Sequence, residues 1–189
     1  MFPNSLLQIL DARSFGSAWF WLVLAVVWSF GGRRVLGIPA DILMDAGRSL
    51  RRAPGLETPQ VLALLDWMSL NVPRWRVSPR MGLALAAALP FGLSVLAGLG
   101  FAGGLEMAQA LSLLLIPQAV LLGLRLRLAG QLHWILRAAE LGQPAPRAAT
   151  DAMQRINRYR IAQTLISLVA VIFTGLWAMR WILLHPYGV

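Results

Sequence analysis

Four uncharged stretches, each about as long as a lipid bilayer is thick, dominate this chain. Arg13 and Arg33 enclose 19 uncharged residues (14–32), Arg80 and Glu106 enclose 25 (81–105), Glu106 and Arg125 enclose 18 (107–124), and Arg160 and Arg180 enclose 19 (161–179). A helix rising ~1.5 Å per residue needs about 20 residues to cross a hydrocarbon core of roughly 30 Å. Inside lipid every backbone N–H and C=O needs an internal partner, which a helix supplies within one segment. Barrel strands would be about half as long and would alternate in polarity. Charge is scarce overall, at 13% of the 189 residues, where a soluble domain carries roughly a quarter. The expected fold is therefore all-α: a polytopic membrane protein with four transmembrane helices.

The basic residues set an expected orientation. All 17 are arginine. Eight fall in 33–80 and seven in 125–160, which leaves Arg13 and Arg180 for the opposite side. Under the positive-inside bias both arginine-rich segments are cytoplasmic and both termini lie outside. The net charge of +9 is then a topology and headgroup signal. No nucleic-acid reading motif accompanies it, so nucleic acid is not an expected partner. With no cysteine, the chain can form neither disulfides nor thiolate-held metal or iron–sulfur sites. The N-terminus lacks the basic start and the small-residue cleavage site of a secretory signal, so the first span is expected to be retained.

Between the spans the pattern turns amphipathic, and the expected layout is a single membrane domain over 1–189. An outer interfacial helix occupies 1–15, with Leu6, Leu7, Ile9 and Leu10 on its apolar side. The first span covers 16–36 and carries Trp19, Trp21 and Trp28, suited to the interfaces or to a partner helix. Two cytoplasmic amphipathic helices fill 39–72. One begins at Pro39 and Asp41 with Ile42, Leu43, Ala46 and Leu50 on one face. The other begins at Thr58-Pro59 with a stripe of Val61, Leu62, Leu65 and Met68 beside Trp67. Lying on the inner leaflet and docking under the bundle are equally good readings of both. Pro73 and Pro79 frame the Arg74-Trp75-Arg76 cluster. The second span, 80–102, offers one small-residue surface of Ala84, Ala88, Gly92 and Gly100, with Pro90 as a kink point. The third helix spans the membrane over 105–124 and continues to about Leu141. The fourth starts at a Thr150-Asp151 cap, spans over 161–184 and ends near Leu184. Residues 125–160 thus form a cytoplasmic extension of the hairpin, turning at Gln143-Pro144-Ala145-Pro146.

Chemistry-bearing residues are sparse. His133 and His185 fall on opposite sides of the expected membrane and cannot share a metal or haem. The mid-span polar groups Ser94, Ser112, Gln118, Ser167 and Thr174 are expected to hydrogen-bond between helices. No Asp, Glu, Lys or His lies near the centre of a span, so a proton relay lacks a carrier. Glu106 is expected to cap the third helix, and Arg180 to snorkel outward. There is no phosphate-binding glycine loop, zinc-hydrolase motif or nucleophile elbow. No catalytic, cofactor or metal site is expected.

The stretch Asp11-Ala12-Arg13-Ser14-Phe15, Trp19-Phe20-Trp21, Leu24 to Ser29 and Val35-Leu36-Gly37-Ile38-Pro39 with Asp41, together with Gly104 to Ala110 and Pro117, resembles a small family of alphaproteobacterial inner-membrane proteins. The likeness is strongest over the first 41 residues. Members are often labelled "component of SufBCD complex", which implies a bacterial inner-membrane location and a link to iron–sulfur cluster assembly.

The expected function is a non-catalytic membrane subunit or scaffold that joins a larger membrane complex or assembles with itself. Its interaction surface would be Trp19, Trp21, Trp28, Ala84, Ala88, Gly92 and Gly100. Arg48, Arg51, Arg52, Arg74, Arg76, Arg155 and Arg158 would meet membrane lipid headgroups or a partner. The alternative is a small oligomeric channel or transporter lined by Ser94, Gln118 and Thr174.

Overall fold

The computed structural model describes residues 14–31 and 34–184. The expected outer helix of 1–15 lies outside these residues except for its last two, and so do His185 and the C-terminal segment. Among the described residues there are six α-helices and one two-stranded hairpin: α1 Ala18–Gly31, β1 Arg34–Val35, β2 Ile38–Pro39, α2 Ala40–Arg52, α3 Pro59–Asn71, α4 Pro79–Ala97, α5 Glu106–Glu140 and α6 Ala145–Leu184. A single 3-10 turn, Val72–Trp75, follows α3, and a π turn, Gly98–Ala102, continues α4.

Three helical segments are long and apolar enough to cross a membrane: Pro79–Ala102, α5 and α6. The first expected span, 16–36, is helical for only the 14 residues of α1. That is about 21 Å at helical rise, so α1 alone falls short of a hydrocarbon core. A tight hairpin begins at Arg34, within the expected span, with Arg34 paired to Pro39 and Val35 to Ile38. Leu36 and Gly37 form its turn, at φ 53° and 87°. Positive φ at both central residues matches the right-handed twist of the flanking strands. Leu36 bears the steric cost of that backbone, and its side chain is 2% exposed. At Gly37 a side chain would be strained by the left-handed backbone, and its Cβ would sit 2.8 Å from Asn71 Oδ1, which would have to move.

The chain divides into two compact units. One comprises Met1–Phe30, Pro79–Leu121 and Leu165–Val189; the other comprises Gly31–Ser78 and Leu122–Thr164. The first is the apolar unit. The second holds 14 of the 17 arginines and six of the eight acids. The two long helices contribute to both, and α6 gives twenty residues to each.

The second unit has a hydrophobic core of its own. Along α5, Leu128, Ala129, Leu132, Ile135 and Leu136 recur at helical spacing, and along α6 so do Ala148, Ala149, Ala152, Ile156 and Tyr159. This facing pair of stripes receives Leu43 and Ala46 from α2, Val61, Leu64 and Met68 from α3, and Val35, Leu36 and Ile38 from the hairpin. The amphipathic helices therefore bury one apolar face each in protein, as docking requires, while Met44, Leu62, Trp67 and Leu70 stay exposed. Their side-chain register differs in one place: Leu64 is buried while Leu62 is exposed. The buried positions 61, 64 and 68 follow an i, i+3, i+7 face. Thr58 precedes α3 as expected but makes no side-chain cap; its hydroxyl meets the Ser49 hydroxyl at 2.6 Å, tying the end of α2 to the start of α3. Helix α6 starts five residues before the expected cap. Thr150 lies inside it and donates to the Pro146 carbonyl at 2.8 Å. Arg125 Nε donates to the Tyr159 hydroxyl at 2.8 Å, bracing α5 and α6.

Removing a fully buried side chain of this core is predicted to destabilise the second unit. Met68→Ala should cost about 2–5 kcal/mol, read as an earlier thermal transition of the detergent-solubilised protein. Leu62→Ala, on the exposed face of the same helix, should leave the transition within about 0.5 kcal/mol of wild type. Equal effects would refute the register.

Candidate functional site

Two features are candidates for function, one in each unit. In the apolar unit, two buried polar side chains, Glu106 and Gln109, tie distant segments together. Glu106 opens α5 as expected, but its carboxylate does not cap its own helix. Glu106 Oε1 accepts the backbone N–H of Ser14 at 2.7 Å and of Phe15 at 2.6 Å. Two backbone donors that precede α1 are thereby satisfied by one acid about ninety residues away. Phe15 is 1% exposed, packs edge-to-face on Phe20 and lies against Trp181. Its carbonyl accepts the indole N–H of Trp21 at 2.9 Å.

The second tie is Gln109. Its amide nitrogen donates to the Gly100 carbonyl at 2.9 Å, and its amide oxygen accepts the Trp177 indole N–H at 2.8 Å. One side chain thus links the π turn after α4 to α5 and α6. Gly100 belongs to the same junction: a Cβ there would lie 2.7 Å from the Gln109 backbone nitrogen. Among the described residues the expected inter-helix bonds of Ser112 and Thr174 are not formed. Each hydroxyl donates instead to the carbonyl four residues back in its own helix, Ala108 and Ala170. Short hydroxyl side chains reach their own backbone first, whereas Gln109 is long enough to span helices. Arg180 is exposed and lies over the Trp177 ring at 5.4 Å.

The expected small-residue surface divides. Gly100 is buried against α5, while Ala84, Ala88 and Gly92 are exposed. Helix α4 buries none of its residues over Pro79–Ala97. Of the expected tryptophans, Trp19 is the most exposed, at 74%. Trp21 is tied back to Phe15. Trp28 is half-buried, and its indole N–H finds no hydrogen-bond partner among the described residues. The proposed pore residues do not share one environment: Ser94 is exposed, Gln118 half-buried and Thr174 buried.

In the charged unit a groove of about 720 Å³ runs between α2 and α6. Leu43, Met44, Gly47 and Leu50 line one side; Met153 and Ile156 line the other, with Thr150, Gln154 and Asn157. Gly47 brings the walls together, since a Cβ there would meet the Met153 methyl at 2.7 Å. Arg48, Arg51 and Arg160 border the groove, and no carboxylate lines it. Arg48 is paired with Asp45 at 3.1 Å in an exposed ion pair. The remaining expected arginines are dispersed over other faces. Arg52 borders a depression beside the groove, Arg155 and Arg158 border another with Arg127, and Arg74 and Arg76 are exposed on and just after the 3-10 turn.

Sequence reasoning missed Arg160, Met153 and the roles of Glu106 and Gln109. Arg160 carries a usable signal, as the charge that ends the uncharged run 161–179 on the same helix. The glutamine bridge has no local signal. Among the described residues no cluster of His, Asp or Glu could hold a metal. The His133 and Trp134 rings lie 6.1 Å apart. No protein-family model matches the chain, and neither a curated protein nor a solved structure matches it significantly.

Glu106→Ala would leave the Ser14 and Phe15 amides without their acceptor. The expected cost is about 1–3 kcal/mol, with faster hydrogen exchange at both amides. An unchanged exchange rate would refute the clamp.

Proposed function

We propose that this protein is a non-catalytic integral membrane subunit, built to associate through its second span with another membrane helix. The observation that carries the reading is the state of α4. This helix is apolar and long enough to cross a membrane, yet it buries nothing over 19 residues. It presents Ala84, Ala88 and Gly92 outward at helical spacing. Lipid tails are as apolar as leucine, so small residues gain nothing by facing lipid. They gain by letting a second helix backbone approach closely, where van der Waals packing drives association. Nothing lies within 4 Å of a Cβ built at Gly92, so this face is open to a neighbour. The neighbour is a helix of another membrane complex or of a second copy.

The resemblance to alphaproteobacterial inner-membrane proteins supports a bacterial inner membrane as the location. In the full reading α1 is a fourth span completed by its flanking residues, both termini face outward, and the arginine-rich unit is cytoplasmic. The absence of cysteine makes this orientation directly testable. Single cysteines introduced at Leu56 and at Gln143 should react with a membrane-impermeant maleimide only after permeabilisation, and one at Gly104 should react in intact cells. The reverse pattern would overturn the orientation.

Association is tested by purification from native membranes in mild detergent. The protein should elute well above its monomer mass of 20.7 kDa, with itself or a co-purifying partner. Ala88→Leu/Gly92→Leu should release it as a monomer with its thermal transition unchanged. Wild-type protein recovered only as a monomer would overturn the proposal.

A further inference from the structure

The groove between α2 and α6 is floored by Leu43, Met44, Met153 and Ile156 and bordered by Arg48, Arg51 and Arg160, with no carboxylate in its lining. We infer that this groove is a docking site for a short acidic amphipathic helix of another protein, seated with its apolar face on the floor and its carboxylates toward the guanidiniums. The inference deepens the subunit reading by naming the chemistry of a partner.

Three observations select this occupant. The first is charge. Three guanidiniums stand on the border, and among the described residues only Arg48 has an acidic partner, the exposed Asp45. Complementarity therefore calls for an anion. The second is the floor. Two methionines line it, and Met44 is 47% exposed. Unbranched, polarizable thioethers adapt to varied apolar side chains and are common where an amphipathic helix is received in a groove. The third is direction. Arg160 is the last charge before the uncharged run 161–179, so on α6 it stands at the headgroup end of the groove. Thr150, at the other end, is ten residues further from that run, about 15 Å along the helix axis. Acyl chains that stay in a bilayer cannot cover apolar side chains that far out, whereas a helix of about three turns can. The occupant also comes from a different chain. Among the described helices only α3 carries a net negative charge, of one, and its apolar face is already buried in the core.

The test uses the intact protein in nanodiscs of phosphatidylcholine. The probe is a synthetic 14-residue peptide with leucine on one helical face and glutamate on the other, read by fluorescence anisotropy. Saturable binding is expected, weaker for a scrambled peptide of equal composition. Arg51→Gln/Arg160→Gln should weaken it about tenfold, since each exposed ion pair contributes modestly. Arg137→Gln/Arg147→Gln makes the same charge change outside the groove and should change it by less than about twofold. Met44→Gln, at the exposed part of the floor, should also weaken it and guards against a folding defect in the double variant. Equal binding of the scrambled peptide, or equal loss in the two double variants, would overturn the inference. So would loss of peptide binding when phosphatidylglycerol is added to the disc, because the groove would then belong to lipid headgroups. Failure here leaves the co-purification result standing, because that experiment reads the face of α4.

Discussion

Two long helices each contribute to both compact units, and the rest of the structure follows from the surfaces they present in each. Helices α5 and α6 run 35 and 40 residues, about 52 and 60 Å at helical rise. A bilayer core is roughly 30 Å thick, so neither can be a simple span. In the apolar unit their exposed residues are mostly aliphatic or aromatic, such as Leu168, Val169, Ile172 and Phe173. In the charged unit the same helices carry one apolar stripe each and turn arginine outward. The stripes are covered in protein, and α2, α3 and the hairpin supply the cover. Those three elements are short. None would hold its shape alone, and each is fixed by the stripe it buries.

The polar groups follow a parallel logic. A buried donor or acceptor without a partner costs more than most contacts gain. Glu106 and Gln109 meet that demand where the chain is irregular: at the turn before α1 and at the π turn after α4. Both are long side chains placed early in α5, where they reach segments distant in sequence. Ser112 and Thr174 are too short to do the same and return their protons to their own helices. The polar residues of the apolar unit thus act as fasteners, while α4 leaves its residues unburied. In the charged unit the counterpart is the groove, where apolar floor and basic border occur together.

Much of this was legible in the sequence. The spacing of apolar residues located α2, α3 and the long extent of α5 within a few residues, because helical periodicity and proline punctuation are local signals. The hairpin was not legible. Leu36 adopts a left-handed backbone that its residue type disfavours, and it does so because its side chain is buried in the core shared by α3 and the long helices. The start of α6 departs from expectation because Thr150 resembles a cap, yet the prolines at 144 and 146 are tolerated in a first turn. Leu62 lies on the expected stripe but outside the core, because a stripe read without its partner has no fixed edge.

By itself the sequence determined that this chain is helical, rich in apolar runs of membrane-crossing length, and strongly asymmetric in the distribution of its arginines. Those properties depend on composition and on periods of three or four residues, which every local window carries. That only three of the four expected spans are helices of full length among the described residues emerged from the structure. Tertiary structure alone decided which arginines share a site with an apolar floor, which small residues are already covered and which polar side chain bridges helices. Arg51 and Arg160 are 109 positions apart, and Glu106 and Phe15 are 91 apart. Contacts of that kind exist only once helices pack, because no local pattern records what an opposing surface presents.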